Sequence, residues 1–499
     1  MHAVKLVAFF PLITYLVFAI KRWRNKTLSR NGLPLPPGPR GLPLVGNVLG
    51  MDISAPWTTY EQWGKRYGGI IYCTLLGQEL VIINDEEIHH ELMVKRSSVY
   101  SDRPYLRTNE LFGLDWITAL LPYGDEWRLH RRMFNVAFSK RASEKYKAVQ
   151  MKKVHQLLGN LLSTPLDYPK HFATLSAAII MAITYGYDVA PEDDPFVDNI
   201  AGLVELFFTF LASSREDQCF SVTYIPSWLP GGGYKKQAAE CRVLARVVLE
   251  DPVKYVRDRT AAGTATTSIV GDLFEMELGD DSASRKDETV KAVAATVFLG
   301  GAETTAATLL VFLLAMVLYP EAQAKAQEEI DRVVGDARLP EFKDRDNLPY
   351  VQAVYLETLR WHPIKPLLLP RKTTTVDVFN GMYIPKGKSY PSAMTRDEKR
   401  YPNPAVFSPE RHLTAGGTLA EDSNGSGVVS ILATLRVGKA RDEAGHEIDF
   451  TPEFTEGLAP HPKPFHCSIE PRSSETAQLV YAIDCVPRLG VALANNESA

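Results

Sequence analysis

The first apolar feature of the chain is the run 6–20, fifteen uncharged and mostly apolar residues, followed at once by Lys21, Arg22, Arg24 and Lys26. A run of this length is short but adequate for a tilted membrane span with snorkelling flanks. Its basic cluster comes after the apolar stretch, opposite to a cleaved signal peptide, and the positive-inside rule then puts the rest of the chain on the cytosolic side. A buried core helix is the alternative, but Pro11 and the basic flank suit an anchor better. Pro34, Pro36, Pro37 and Pro39 next fix backbone φ and remove donors, which makes a stiff spacer. The pattern therefore divides the chain into an anchor with its basic flank (1–24), a proline-rich hinge (25–40), a globular body (41–473) and a tail (474–499).

Helical periodicities dominate the body, with β-rich stretches near 69–84, 371–384 and 465–472, and no internal repeat or second linker interrupts it. The expected fold class is mainly α with small β-sheets, α+β in type. The longest periodic segment runs from about residue 287 to 318, acidic at its start, apolar nearly all round and stopped at Tyr319-Pro320. Such a helix belongs in the middle of a core. Pro320 opens a charged helix reaching Gly335, and Leu348-Pro349 opens another that ends before His362-Pro363.

Composition adds exclusions. With 499 residues, 45% hydrophobic and 23% charged, the chain can bury a large core and carries no sign of disorder. A net charge of −4 with acidic and basic residues interspersed leaves no basic stripe for nucleic acid. Cys73, Cys219, Cys241, Cys467 and Cys485 are scattered, with no Cys-x-x-Cys pair for structural zinc, and are expected as free thiols in a reducing compartment. Asn25, Asn424 and Asn496 begin glycosylation triplets, expected to stay unmodified on a cytosolic face.

Two segments carry chemistry. Gly300-Gly301-Ala302-Glu303-Thr304-Thr305 places two glycines, an acid and a hydroxyl in the middle of the apolar helix. The glycines imply a close approach to the backbone, and an acid beside a hydroxyl can relay protons; a helix kink with an incidental polar pair is the other reading. Glu357 and Arg360 lie three apart on a later helix, a spacing shared by many plain surface pairs. About fifty residues on, Asn403-Pro404 and Pro409-Glu410-Arg411 offer a second arginine for the same carboxylate.

Taken in order, the proline hinge, Trp127-x-x-x-Arg131, residues 300–305, Glu357-x-x-Arg360 and Pro409-Glu410-Arg411 resemble the cytochrome P450 superfamily of haem-thiolate monooxygenases, in the style of fungal members that modify secondary metabolites. The resemblance runs from the anchor to about Arg472. It implies a P450-like fold and a haem (heme) cofactor whose propionates meet Trp127 and Arg131, with Arg371 a weaker candidate. It implies proton delivery by Glu303 and Thr304, and a structural triad of Glu357, Arg360 and Arg411. It further implies a lipophilic small-molecule substrate selected by segments 101–114, 200–233 and 366–369, an NADPH-dependent reductase as partner, and single-pass residence in the endoplasmic reticulum membrane.

The pattern breaks after Arg411. Family members carry there a loop of the form Phe-x-x-Gly-x-Arg-x-Cys-x-Gly, whose thiolate ligates the haem iron and which leads into a helix. Here residues 412–424 run into a Gly425-Ser426-Gly427 junction, then into 428–435, whose apolar spacing resembles only the end of that helix. About thirty residues are missing as one block, and the resemblance resumes from Gly438 through Phe450-Thr451 and His461 to Phe465. Cys467 matches a late β-hairpin and Cys485 an unmatched tail, so no residue is assigned as a metal ligand. Residues 388–400 are also shorter than usual and lose apolar strand character. The expectation is an inactive or misspliced member. The alternatives are an active monooxygenase, if the true product carries the loop, and a non-catalytic membrane-tethered binding protein.

Overall fold

The computed structural model describes residues 30–483, apart from 44, 53, 191–193, 214–233, 278–283, 368, 392–393, 420–426 and 456–459. The anchor expected at 1–24 lies outside the described residues. The described chain falls into two compact units, one formed by residues up to 104 with 370–393, the other by 105–369 with the remainder.

In the first unit, helix α1 (Pro56–Tyr67) starts on a proline, whose missing N–H is no loss in a first turn. Strands β1 (Ile70–Leu75) and β2 (Gln78–Ile83) then pair antiparallel. They turn through Leu76 and Gly77, at φ 48° and 80°, the left-handed pair that a two-residue hairpin of native twist requires. The four-stranded sheet has the order β1-β2-β6-β3, with β6 (Lys388–Pro391) parallel to β2 and antiparallel to β3 (Arg371–Lys372). A second hairpin joins β4 (Asp377–Phe379) to β5 (Met382–Ile384). Strand β6 corrects one expectation: the stretch read as having lost strand character supplies the strand that links β2 to β3. A ladder is made by backbone groups, so it forms without the apolar alternation by which strands are recognised. The proline segment is part of this unit, because Tyr72 N–H donates to Pro37 O at 2.9 Å and Tyr383 N–H to Pro34 O at 2.8 Å.

The second unit is helical. Its main helices are α2 (Asp125–Ala137), α3 (Lys147–Ser163), α4 (Tyr168–Tyr185), α5 (Pro195–Ser213), α6 (Tyr234–Ala261), α7 (Lys286–Leu318), α8 (Pro320–Val333), α9 (Pro349–Trp361), α10 (Gly427–Thr434) and α11 (Ser474–Tyr481). Helix α7 joins two apolar clusters. Its first half packs Val290, Val293 and Phe298 with Met181 of α4 and Val248 of α6. Its second half packs Leu309, Phe312 and Leu313 with Leu157, Phe172, Val354 and Ile431. Each such fully buried side chain contributes about 1.5–3 kcal/mol, so an all-round apolar helix is stable only where it sits. Among the described residues α7 alone is long and apolar enough to cross a membrane, but over half of its most apolar window, 56%, is buried in the protein.

Helix α10 carries the segment read as the end of a helix, and Val428, Ile431 and Leu432 are each at most 2% exposed. Gln327 of α8 donates to Leu432 O at 3.2 Å and Leu435 O at 2.9 Å, fastening the exit of α10 to strand β7 (Leu435–Lys439). Strand β7 pairs antiparallel with β8 (Cys467–Pro471). The beginning of the tail forms α11, whose Val480 is fully buried in the cluster around the second half of α7.

Candidate functional site

Helix α9 presents Glu357 and Arg360 on one face, as their spacing requires, and both are buried, at 0% and 4% exposure. Arg360 donates through Nε to Glu357 Oε2 and through Nη2 to Oε1, both at 2.7 Å, a bidentate fork. Arg411, in the turn Pro409–His412, adds Nε to Oε1 at 3.1 Å. The structure therefore assembles the expected triad and enlarges it. His412 Nε2 lies 2.9 Å from Glu357 Oε2, and Ser408 N–H donates to Oε1 at 2.9 Å. Burial pushes the Glu357 carboxyl up, yet the hydrogen bonds from Arg360, His412 and Ser408 outweigh it and hold the group below the usual carboxylate range. Arg360 also ties in the following loop, donating to Thr395 O at 2.9 Å and Pro404 O at 3.0 Å.

In the middle of α7 the two glycines do different things. A Cβ on Gly301 would stand 2.5 Å from Ile180 Cδ1 of α4, so the close approach read from the sequence is made there by a packed helix. Gly300 faces open space. It lines a cleft of about 650 Å³ between α2 and α7, together with Arg131, Phe134, Phe138 and Thr296. Thr304 donates to Gly300 O at 2.7 Å, a back-bond within the helix. Glu303 has one carboxyl oxygen, Oε2, buried with no hydrogen-bond partner. Burial pushes this carboxyl up to about 7, against the opposing pull of Lys365.

Trp127 and Arg131 share α2, with the guanidinium 6.0 Å from the ring centroid, and Arg131 borders the cleft. Arg371 belongs to the first unit, on β3, beside Arg103. Burial and the Arg371 charge push the Arg103 guanidinium down to about 10. Of the segments read as selecting substrate, 107–112 is helical, Leu367 is buried, and 214–233 and Leu368 lie outside the described residues.

Cys73, Cys241 and Cys467 are buried free thiols, and burial pushes them up, to about 12, 11 and 12 respectively. Cys467 stands on β8 opposite Lys439 and packs in the apolar cluster around the second half of α7. Cys219 and Cys485 lie outside the described residues.

Three features escaped the sequence reading. His412 follows the Pro-Glu-Arg element directly and could have been suspected as a further partner. Lys365 sits in an otherwise apolar stretch, a signal that was visible. The third, a line of hydrogen bonds from buried His130 through Thr118 Oγ1 (2.8 Å) to Thr296 Oγ1 (3.3 Å) at the cleft, joins residues far apart in the chain.

A family profile for cytochrome P450 matches residues 36–426. Curated relatives include cytochrome P450 monooxygenase COX2 of Coprinopsis cinerea, 35% identical over 496 residues, 93% of this chain and 93% of that protein. Cytochrome P450 monooxygenase claR of Ampulloclitocybe clavipes is 35% identical over 483 residues, 91% of this chain and 89% of that one. Cytochrome P450 monooxygenase ple1 of Rhodocybe pseudopiperita is 34% identical over 479 residues, 90% and 91%. The chain belongs to the cytochrome P450 family, and its helical body with small sheets is consistent with that fold. Membership implies haem as the prosthetic group.

Proposed function

We propose that this chain is a cytochrome P450 monooxygenase-family protein, anchored in the endoplasmic reticulum membrane by residues 1–24, that lacks the thiolate loop and does not perform monooxygenation in this form. One observation carries the reading: only sixteen residues separate Arg411 from Val428, and none is a cysteine. The family match, which stops at residue 426, agrees with a break at this place. So does the alignment with COX2, whose 496 positions use only 93% of a 499-residue chain and so include gaps in it.

A haem-thiolate centre needs a sulfur that ionises easily and is sheltered by its own loop. Cys467, buried among apolar side chains with its thiol pushed up to about 12, is unsuited to that task. The described residues thus do not fit the axial ligand. A reduced carbon-monoxide difference spectrum of the expressed chain tests this, and no thiolate Soret band with less than stoichiometric haem is expected. A thiolate band with stoichiometric haem overturns the reading, and its loss in Cys467→Ala would identify the ligand.

The intact Glu357 cluster and the near-neutral Glu303 favour a second reading for any product that keeps the loop. That product would be an active monooxygenase of a lipophilic secondary metabolite, drawing electrons from an NADPH-dependent reductase. Glu303 would hold a proton and Thr304 pass it on, while Trp127, Arg131 and Arg371 would meet the haem propionates. Sequencing the transcript across codons 424–428 separates a decayed gene from a misjoined message.

A further inference from the structure

The threonines of α7 use their hydroxyls differently. Thr289, Thr304 and Thr308 each donate to a carbonyl one turn back, Arg285 O at 2.8 Å, Gly300 O at 2.7 Å and Thr304 O at 2.8 Å. Thr296 makes no such bond among the described residues. Its Oγ1 accepts twice from Thr118, from the backbone N–H at 3.2 Å and from Oγ1 at 3.3 Å. Thr118 Oγ1 in turn lies 2.8 Å from Nδ1 of the buried His130.

The direction of this line follows from its hydrogens. A hydroxyl has one, and that of Thr118 goes to Thr296, so Nδ1 of His130 is the donor to Thr118. Burial pushes the imidazole down to about 4, and the neutral ring has a single N–H, here held on Nδ1. Thr296 Oγ1, already accepting from both Thr118 groups, has no place to return its own hydrogen along the line. That hydrogen is left for the cleft between α2 and α7, which Thr296 lines. Phe134 and Phe138 wall the cleft with rings 6.0 Å apart and 21° from parallel, and Ile180 and Val297 add to the apolar lining. Arg131, Asn135 and Ser139 are exposed and keep their water, whereas Thr296 is half-buried. A hydrocarbon seated against Thr296 would strip its donor of water and give nothing back, and a carbonyl oxygen there would pair with it.

We propose that Thr296, oriented by His130 through Thr118, is a hydrogen-bond donor subsite of this cleft, so that the cleft selects flat apolar molecules carrying a carbonyl oxygen over the corresponding hydrocarbons. Thr296 is the binding residue, and His130 and Thr118 position it. The site belongs to the chain as it stands and requires neither a thiolate nor oxygen chemistry.

Isothermal titration of the purified full chain with 1-tetralone and with tetralin, which share a bicyclic skeleton and differ by the carbonyl, tests it. Tetralone is expected to bind about tenfold more tightly. Thr296→Val should abolish that preference, and Thr296→Ser, which keeps the hydroxyl, should retain most of it. Thr118→Val frees the Thr296 hydroxyl to turn toward its own helix and should weaken the preference, yet add nothing when combined with Thr296→Val. His130→Asn, whose side-chain N–H can stand where Nδ1–H does, should keep the preference that His130→Leu loses. Equal affinities on the unaltered chain, tighter binding of tetralin, no binding of either, or a full preference retained in Thr296→Val would each overturn the proposal. An equal loss of both affinities in Thr118→Val would overturn the positioning role, because a merely structural residue has that effect. The carbon-monoxide spectrum reports on the thiolate alone, so this proposal and the preceding reading can fail separately.

Discussion

Glu357 shows how much one buried carboxylate can organise, since two arginines, a histidine and a backbone N–H converge on its two oxygens. Glu357→Gln leaves Arg360 buried without its counter-charge and is expected to cost about 3–5 kcal/mol in a urea titration. His412→Ala, removing one partner of several, should cost about 1–2 kcal/mol. The pH dependence follows from the lowered carboxyl. Its contribution is complete above the ordinary glutamate range, about 4.3, and is lost as pH falls through the lower folded value. Glu303 has the opposite sign. Its raised carboxyl binds a proton more tightly in the folded chain, so stability falls as pH rises from about 4.3 toward its folded value of about 7. Above that value Glu303→Gln is expected to melt higher than the parent, and at pH about 4 the two should coincide. An infrared carboxylic-acid band that titrates near neutrality in the parent and is missing from Glu303→Gln would identify the group. A melting difference independent of pH would count against the assignment.

At the scale of the element, α7 tests how a helix uses adjacent glycines. Gly300 has nothing within 4 Å of a would-be Cβ, so Gly300→Ala gains helix propensity without a clash, and a rise of about 0.5–1 kcal/mol is expected. At Gly301 the same methyl meets Ile180 Cδ1 and Cγ1 at 2.5 and 2.7 Å, so the propensity gain is opposed by overpacking of about 1–3 kcal/mol. Gly301→Ala should therefore be clearly less stable than Gly300→Ala in thermal melts, and Ile180→Ala should narrow that gap by making room. Equal effects of the two alanines would mean that α4 does not press on α7 at this point. The sequence alone distinguished a glycine pair, not which of the two is packed, because that depends on the side of α7 that α4 occupies.

For the molecule as a whole, the features legible beforehand were those written locally. The apolar run closed by Tyr319-Pro320 defines α7 to within a residue of its observed start, and the order of charged motifs names Glu357, Arg360 and Arg411, which the structure brings together. What was not legible depends on long-range placement: β6 is held by backbone pairing to β2 and β3, the Lys365 charge acts on Glu303 from a separate element, and His130 reaches Thr296 through Thr118. The join at 425–427 bears on the whole fold, because α10 begins at its last residue and already buries Val428, Ile431 and Leu432 in the apolar cluster, packed chiefly against α8 and α3. A helix seated to that extent does not depend on the residues before it for its packing, and Ile431→Ala is expected to cost about 2–5 kcal/mol with or without an insertion. It follows that a block carrying a Phe-x-x-Gly-x-Arg-x-Cys-x-Gly loop and its lead-in helix, inserted between Asn424 and Val428, should extend α10 backwards without disturbing the core. The expected outcome is a melting temperature no lower than the parent's, stoichiometric haem and a thiolate carbon-monoxide band that vanishes when the inserted cysteine is replaced by alanine. A chain with the insertion that melts well below the parent and takes up no haem would show that the rest of the fold has diverged beyond what the loop can restore, and that the loss is not confined to the join.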